Sequence, residues 1–198
     1  MALPNAHVTP EIRRLNSWLD SLPTEALMAF PQPTPQDFAV FGGVIQIFNY
    51  IELNLRRSMA AFDAGGVLPS HLRRSARQLS GYKLTAAVRD TAAEIHRNTG
   101  LDGEAVAHLD AIALNQNMRN LLAHWAARRI PGEDYLVLLG KDERDAAQVL
   151  DGPLSVDTVA KAIVQASALA GLVDFLAPHQ NWLAEKTSAW YGRYVEGT

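Results

Sequence analysis

The chain contains no cysteine. That excludes a disulfide framework, cysteine-ligated zinc, iron–sulfur clusters and thiol catalysis. No apolar run reaches the ~18 residues that a membrane span requires. Met1 to Pro10 lack the basic and apolar regions of a signal peptide, so a cytoplasmic protein with no membrane partner is expected. There is no phosphate-binding glycine loop, HExxH pair, GxSxG elbow, internal repeat or low-complexity tract. Of the six histidines, His7, His71 and His179 read as exposed, and His96 and His108 fall on separate predicted helices with no further ligand close in sequence. Neither a metal nor a cofactor is expected.

What is present is ordinary in amount and uneven in placement. A length of 198 residues suits one domain, or one domain with an appendage, and 48% hydrophobic and 20% charged residues are globular values. The net charge of −3 argues against a wholly basic nucleic-acid binder. Between Arg56 and Arg129, however, 11 Lys and Arg stand against 6 Asp and Glu, a local net of +5, and the remainder carries −8. That basic middle is either a set of solvated helix faces or a phosphate-contacting surface. Arg56, Arg73, Arg74 and Arg77 are its candidate RNA-binding residues.

Hydrophobic periodicity predicts helices through most of the chain. The first runs from Val8 to Leu22, with Thr9 as N-cap, Pro10 in the first helical position and Ile12, Leu15 and Leu19 on one face. Pro23, Pro31, Pro33 and Pro35 then mark a stiff linker without room for a long helix. Residues 1–35 therefore read as an N-terminal helix plus linker, and 36–198 as a helical domain. A long helix, Gln36 to Phe62, carries Phe41, Val44, Ile45, Phe48, Leu55 and Met59 on one face and stops at Gly65-Gly66. Glu52 falls in the middle of that face, where a lone carboxylate is too costly to bury; Arg119 is the favoured partner. The pair would either hold the fold or orient a site.

Pro69 to Leu79 reads as a short basic helix or turn, and Thr85 to Asn98 as a helix with Leu84, Val88, Ala92 and Ile95 inward, stopped at Gly100. Asp102 is a candidate cap for the next helix. After His124 the period changes. Ala126–Ile130, a Pro131–Asp134 turn and a β-rich Tyr135–Leu139 predict a hairpin or three-stranded flap within 126–152, its third strand lying before Asp151. A helix capped by Ser155 is expected to run to about Leu176, interrupted by Pro178, and a last helix carries Trp182, Trp190, Tyr191 and Tyr194. Those four aromatics would either pack on the bundle or stack on bases.

The helix between Glu104 and His124 organises the rest. On a wheel, Ala107, Ala111, Leu114, Met118, Leu121 and Trp125 form an apolar stripe expected to be buried. Gln116, Asn117, Asn120 and His124 form a second stripe, polar and uncharged, with Asn120 and His124 one turn apart. Arg119-Asn120-Leu121-Leu122-Ala123-His124 is an arginine and a polar residue followed, after three more positions, by a histidine. In this spacing, near the end of a long helix in the second half of a helical chain, it resembles the signature of the HEPN superfamily.

The resemblance implies an all-α, up-and-down bundle of about five to seven helices, here with a small β-hairpin or flap inserted after the motif helix. It implies a metal-independent endoribonuclease that uses the 2′-hydroxyl of its substrate as nucleophile and leaves 2′,3′-cyclic phosphate. His124 would be base or acid, Arg119 the phosphate clamp, and Asn120 the residue orienting them. It also implies a homodimer with two motifs facing one cleft, and a toxin or defence effector held by an antitoxin or regulatory protein. The chemistry suits the residues: histidine titrates near neutrality and arginine is a fixed cation. Two alternatives are a non-catalytic HEPN-fold module that binds RNA, a nucleotide or a protein, and an unrelated helical interaction protein.

Overall fold

The computed structural model describes residues 9–73, 78–141 and 159–197. Seven helices and three strands are found there: α1 (Pro10–Asp20), α2 (Thr24–Met28), α3 (Pro35–Ala64), α4 (Ser70–Arg73), α5 (Gly81–Thr99), α6 (Ala105–His124), β1 (Ala126–Arg129), β2 (Tyr135–Lys141), β3 (Val159–Gln165) and α7 (Ala166–Tyr191). A π-helical turn, Gly192–Glu196, follows α7. The chain is mostly helical with a small antiparallel sheet. Its residues group into two compact units, one of 1–42 with 120–171 and the other of 43–119 with 172–198.

In the first unit, the Thr9 side chain accepts the Ile12 N–H at 3.2 Å and Pro10 occupies the first helical turn, so α1 starts where the cap residues dictate. The sheet has the order β1-β2-β3, with Ala126 opposite Leu139 and Tyr135 opposite Gln165. Leu15 and Leu19 of α1 and Leu27 of α2 share a core with Ile130, Tyr135, Val137, Leu139 and Ile163. The N-terminal helix therefore packs back on the sheet. Leu136 and Leu138, pointing the other way along β2, are buried too, and burial on both faces explains an unbroken apolar run in place of alternation.

The proline-rich segment is pinned by polar bonds. Arg128 donates to the Met28 carbonyl and the Gln32 amide oxygen, and the Arg129 N–H donates to the Pro31 carbonyl at 2.8 Å. Thr34 and Asp37 cap α3 reciprocally: Asp37 accepts from the Thr34 N–H and hydroxyl, both at 2.7 Å, and its own N–H donates to the Thr34 hydroxyl. Arg129 holds the same carboxylate through two bonds of 2.8 and 2.9 Å. These bonds, from Arg129 first and then Thr34, outweigh burial and lower the Asp37 pKa to about 2. A carboxyl lowered on folding adds stability above its unfolded pKa and loses it as pH falls through the folded one. Acid titration from pH 5 to pH 2, followed by thermal melting, is expected to remove about 2 kcal/mol through this group. Asp37→Asn should flatten that part of the curve.

The structure departs from three expectations. The predicted helix from Ser155 to Leu176 is a strand over Val159–Gln165 and becomes helical only at Ala166, while Ser155 and the stretch 142–151 lie outside the described residues. Val159-Ala-Lys-Ala-Ile-Val-Gln is rich in β-branched residues, and pairing with β2 along its whole length decides its state. Pro178 does not interrupt α7 but sits inside it. Pro178 and Asp174, whose carbonyl a residue-178 N–H would have met, are both exposed, so water can take that carbonyl.

In the second unit, Val44, Phe48, Ile51, Leu55, Met59 and Phe62 of α3 are buried, as are Leu84, Val88, Ala92 and Ile95 of α5. Ser58 bonds Thr187 of α7 at 2.9 Å, and Thr85 donates to Gln116 of α6 at 3.2 Å. Helix α6 also buries a different face from the one expected. Its buried side chains are Ala105, Leu109, Ile112, Gln116 and Leu122, whereas Leu114 of the predicted stripe is 65% exposed and Ala107 is also exposed. By length and composition α3 is apolar enough to cross a membrane, yet its Ser58 and Asn54 are bonded into α7.

Candidate active site

Helix α6 ends at His124, and the backbone N–H of Trp125 still reaches the Leu121 carbonyl at 3.0 Å. Asn117, Asn120 and His124 are exposed, and Arg119 is half-buried. The stripe is thus polar on the solvent side, apart from Gln116, which is buried against Thr85. Asn120 and His124, four residues apart on one helix, have side chains that start roughly 6 Å apart. Arg119 is rotated about 100° from Asn120 and can approach it only by the length of its own stem.

The end of the helix is fixed by Trp125. A Cβ at Gly140 of β2 would overlap the Trp125 ring atom Cδ2, so the indole lies flush on a backbone that has no side chain. Gly140→Ala must displace the indole at its inner edge, and chemical denaturation should read a loss of about 1–3 kcal/mol. An unchanged midpoint would show that the helix end is not anchored there.

The other predicted residues are placed differently. Glu52, expected to be buried, is about one-third exposed and pairs with Arg56 one turn along α3 at 2.6 Å. That bond occupies Arg56, one of the candidate RNA contacts. Arg73 donates to the Leu68 carbonyl at 3.1 Å and the Gly66 carbonyl at 2.8 Å, which closes the loop after α3. Arg74 and Arg77 lie outside the described residues.

Sequence reasoning missed two clusters in the second unit. Asp102, taken as a helix cap, has φ 60° and a buried carboxylate that accepts from Lys186 at 2.9 Å, Trp190 at 2.9 Å and Arg193 at 3.1 Å. Burial pushes this carboxyl up, but the bonds from Trp190, Lys186 and Arg193 together win and leave its pKa below the usual range. Trp190 is fully buried and tilts against Phe62 at 4.8 Å, and Trp182 stacks on His108 at 4.3 Å, so those two aromatics serve packing. The second cluster joins His108 of α6 to His179 of α7, Nδ1 to Nδ1, at 2.9 Å. His179 is half-buried rather than exposed. Burial, then the charge His179 would carry, holds His108 below the usual histidine pKa. Only a sparse signal pointed to this pair, since the two residues are 71 apart in sequence.

Among the described residues no group of three or more histidine, cysteine or acidic side chains converges as a metal cage. Comparison with protein-family models, curated proteins and solved structures gave no match for this chain. An exposed imidazole one helical turn from an amide has a group for proton transfer, and Arg119, adjacent to that amide in sequence, carries a fixed positive charge.

Proposed function

We propose that the protein is a HEPN-like, metal-independent endoribonuclease acting in the cytoplasm. The observation that carries this is the exposure of Asn120 and His124 one turn apart at the end of a 20-residue helix, with Arg119 on the same turn. A base that is free to meet a bulky polymer must stand in solvent, and His124 does. In this mechanism His124 takes the proton of the substrate 2′-hydroxyl, Arg119 holds the charge growing on the phosphate, and Asn120 orients the two. The oxygen of the 2′-hydroxyl forms the new bond to phosphorus as the bond to the 5′-oxygen breaks. A second, protonated group must then give a proton to the leaving 5′-oxygen, and a homodimer presenting two copies of His124 would provide it. An antitoxin-like or regulatory protein is the expected partner of such an activity.

The test compares an RNA with its fully 2′-O-methylated counterpart. Cleavage of the first alone is expected, because the methyl group removes the nucleophile. Equal cleavage of both overturns 2′-hydroxyl attack. The non-catalytic alternative keeps the fold and binds RNA, a nucleotide or a protein without turnover. What favours it is the engagement of Arg56 and Arg73 in intramolecular bonds, which leaves fewer cations to hold a strand.

A further inference from the structure

The Nδ1 atoms of His108 and His179 face each other at 2.9 Å from two helices of the same unit. Two explanations fit such a separation: a shared proton, or two lone pairs aimed at one cation. Metal–imidazole bonds of about 2.0–2.1 Å set at right angles place their nitrogens about 2.9 Å apart, and at a tetrahedral angle about 3.3 Å apart. The observed distance matches the right-angle value, that of two neighbouring positions in a square-planar or octahedral shell, and equally an N–H···N hydrogen bond in the metal-free pair. The rings are also held in place before any ion arrives. Trp182 stacks on His108 with an interplanar angle of 3°, and Phe175 lies against His179 at 4.9 Å. Both histidines are half-buried, so an ion can enter while water completes its shell.

We infer that His108 and His179 form a two-histidine site for a divalent transition-metal ion of tetragonal preference, Cu(II) before Ni(II) and Zn(II). Imidazole donors and a right-angle geometry select that order. Glu104 lies one turn before His108 but is held by Lys186 at 2.7 Å, so the remaining positions belong to water or to a small ligand. On binding, the imidazole that carries its proton on Nδ1 shifts it to Nε2. Both Nδ1 lone pairs then reach the metal, with no net release of protons from the neutral pair. The site is separate from the RNA chemistry, which is proposed to run without metal.

The experiment titrates the EDTA-treated, dialysed protein with Cu(II) in the presence of glycine as a weak competitor, read by electron paramagnetic resonance and calorimetry. One tightly bound equivalent with nitrogen hyperfine structure is expected. His108→Gln and His179→Gln should each weaken it by at least the roughly 10–100-fold that loss of even an outer partner costs. His71→Gln and His96→Gln should leave it unchanged. Binding that survives in both His108→Gln and His179→Gln, or no equivalent held against glycine, overturns the site. A measurement that needs no folded variant is the imidazole NMR spectrum of the wild type, where substoichiometric Cu(II) should broaden the His108 and His179 signals first. Broadening that starts at other histidines overturns it equally.

Discussion

His124→Ala is expected to lower RNA cleavage by about 10²–10⁴-fold, the range that a positioned general acid–base group contributes. The substitution removes an exposed side chain at the last position of α6, so circular dichroism and melting temperature should not move. That separation makes the result informative. A buried histidine would confound chemistry with folding, and this one does not. Arg119→Lys keeps the charge but loses the planar fork that suits a phosphate, and should fall between wild type and Arg119→Ala. Asn120→Ala should cost least, since the amide is assigned to orientation. Cleavage unchanged in His124→Ala would remove the base from the mechanism altogether.

The second large effect is on stability. Asp102→Ala should destabilise the protein by about 2–4 kcal/mol, because it leaves the buried Trp190 N–H without an acceptor and takes one partner each from Lys186 and Arg193. Lys186 keeps Glu104 and Arg193 is about one-third exposed, so the larger loss is the buried indole donor left unsatisfied. Its backbone adds a second cost, since φ 60° is a conformation that Asp and Asn tolerate and Ala resists. Asp102→Asn keeps the left-handed residue and one acceptor oxygen, so urea denaturation should place it between Ala and wild type. Equal losses for Ala and Asn would show that charge pairing, not backbone conformation or the indole bond, supplies the whole term. Because the pKa of Asp102 is lowered, its contribution is present above the ordinary aspartate range and disappears on acidification, in the same direction as that of Asp37.

Local chemistry was readable where neighbours in sequence decide the outcome. Thr9-Pro10-Glu11 announced the start of α1, Gly65-Gly66 the end of α3, and Gly100 the end of α5, where it adopts φ 74° and its N–H reaches the His96 carbonyl. The inner face of α5 was legible because Leu84, Val88, Ala92 and Ile95 contrast with polar residues around them. In α6 that contrast is missing. Ala105, Leu109 and Ile112 on one side and Ala111, Leu114 and Met118 on another leave apolar residues around most of the wheel, and only tertiary packing chooses between them. The choice fell on the first set.

Long-range partners were the larger gap. Val159–Gln165 becomes a strand because β2 lies beside it, and its partners there are 18 to 30 residues away along the chain. Glu52 was placed in an apolar face by its period, yet Arg56, four residues on, was near enough to meet it without a facing helix. Asp102 looked like a cap because caps are the common use of such a residue, and its three donors lie 84 to 91 residues further on. For the motif, sequence supplied the residue types and spacing, and the structure added that Asn120 and His124 are solvent-exposed.

The measurement that tests the account most directly is the chemistry of the RNA ends. A 5′-labelled structured RNA is incubated with the wild-type protein in excess EDTA, and the 3′ ends of the fragments are identified. The proposed mechanism predicts fragments that carry 2′,3′-cyclic phosphate, formed without divalent metal. Fragments ending in a 3′-hydroxyl, cleavage that appears only when metal is restored, or RNA bound and left intact would contradict it.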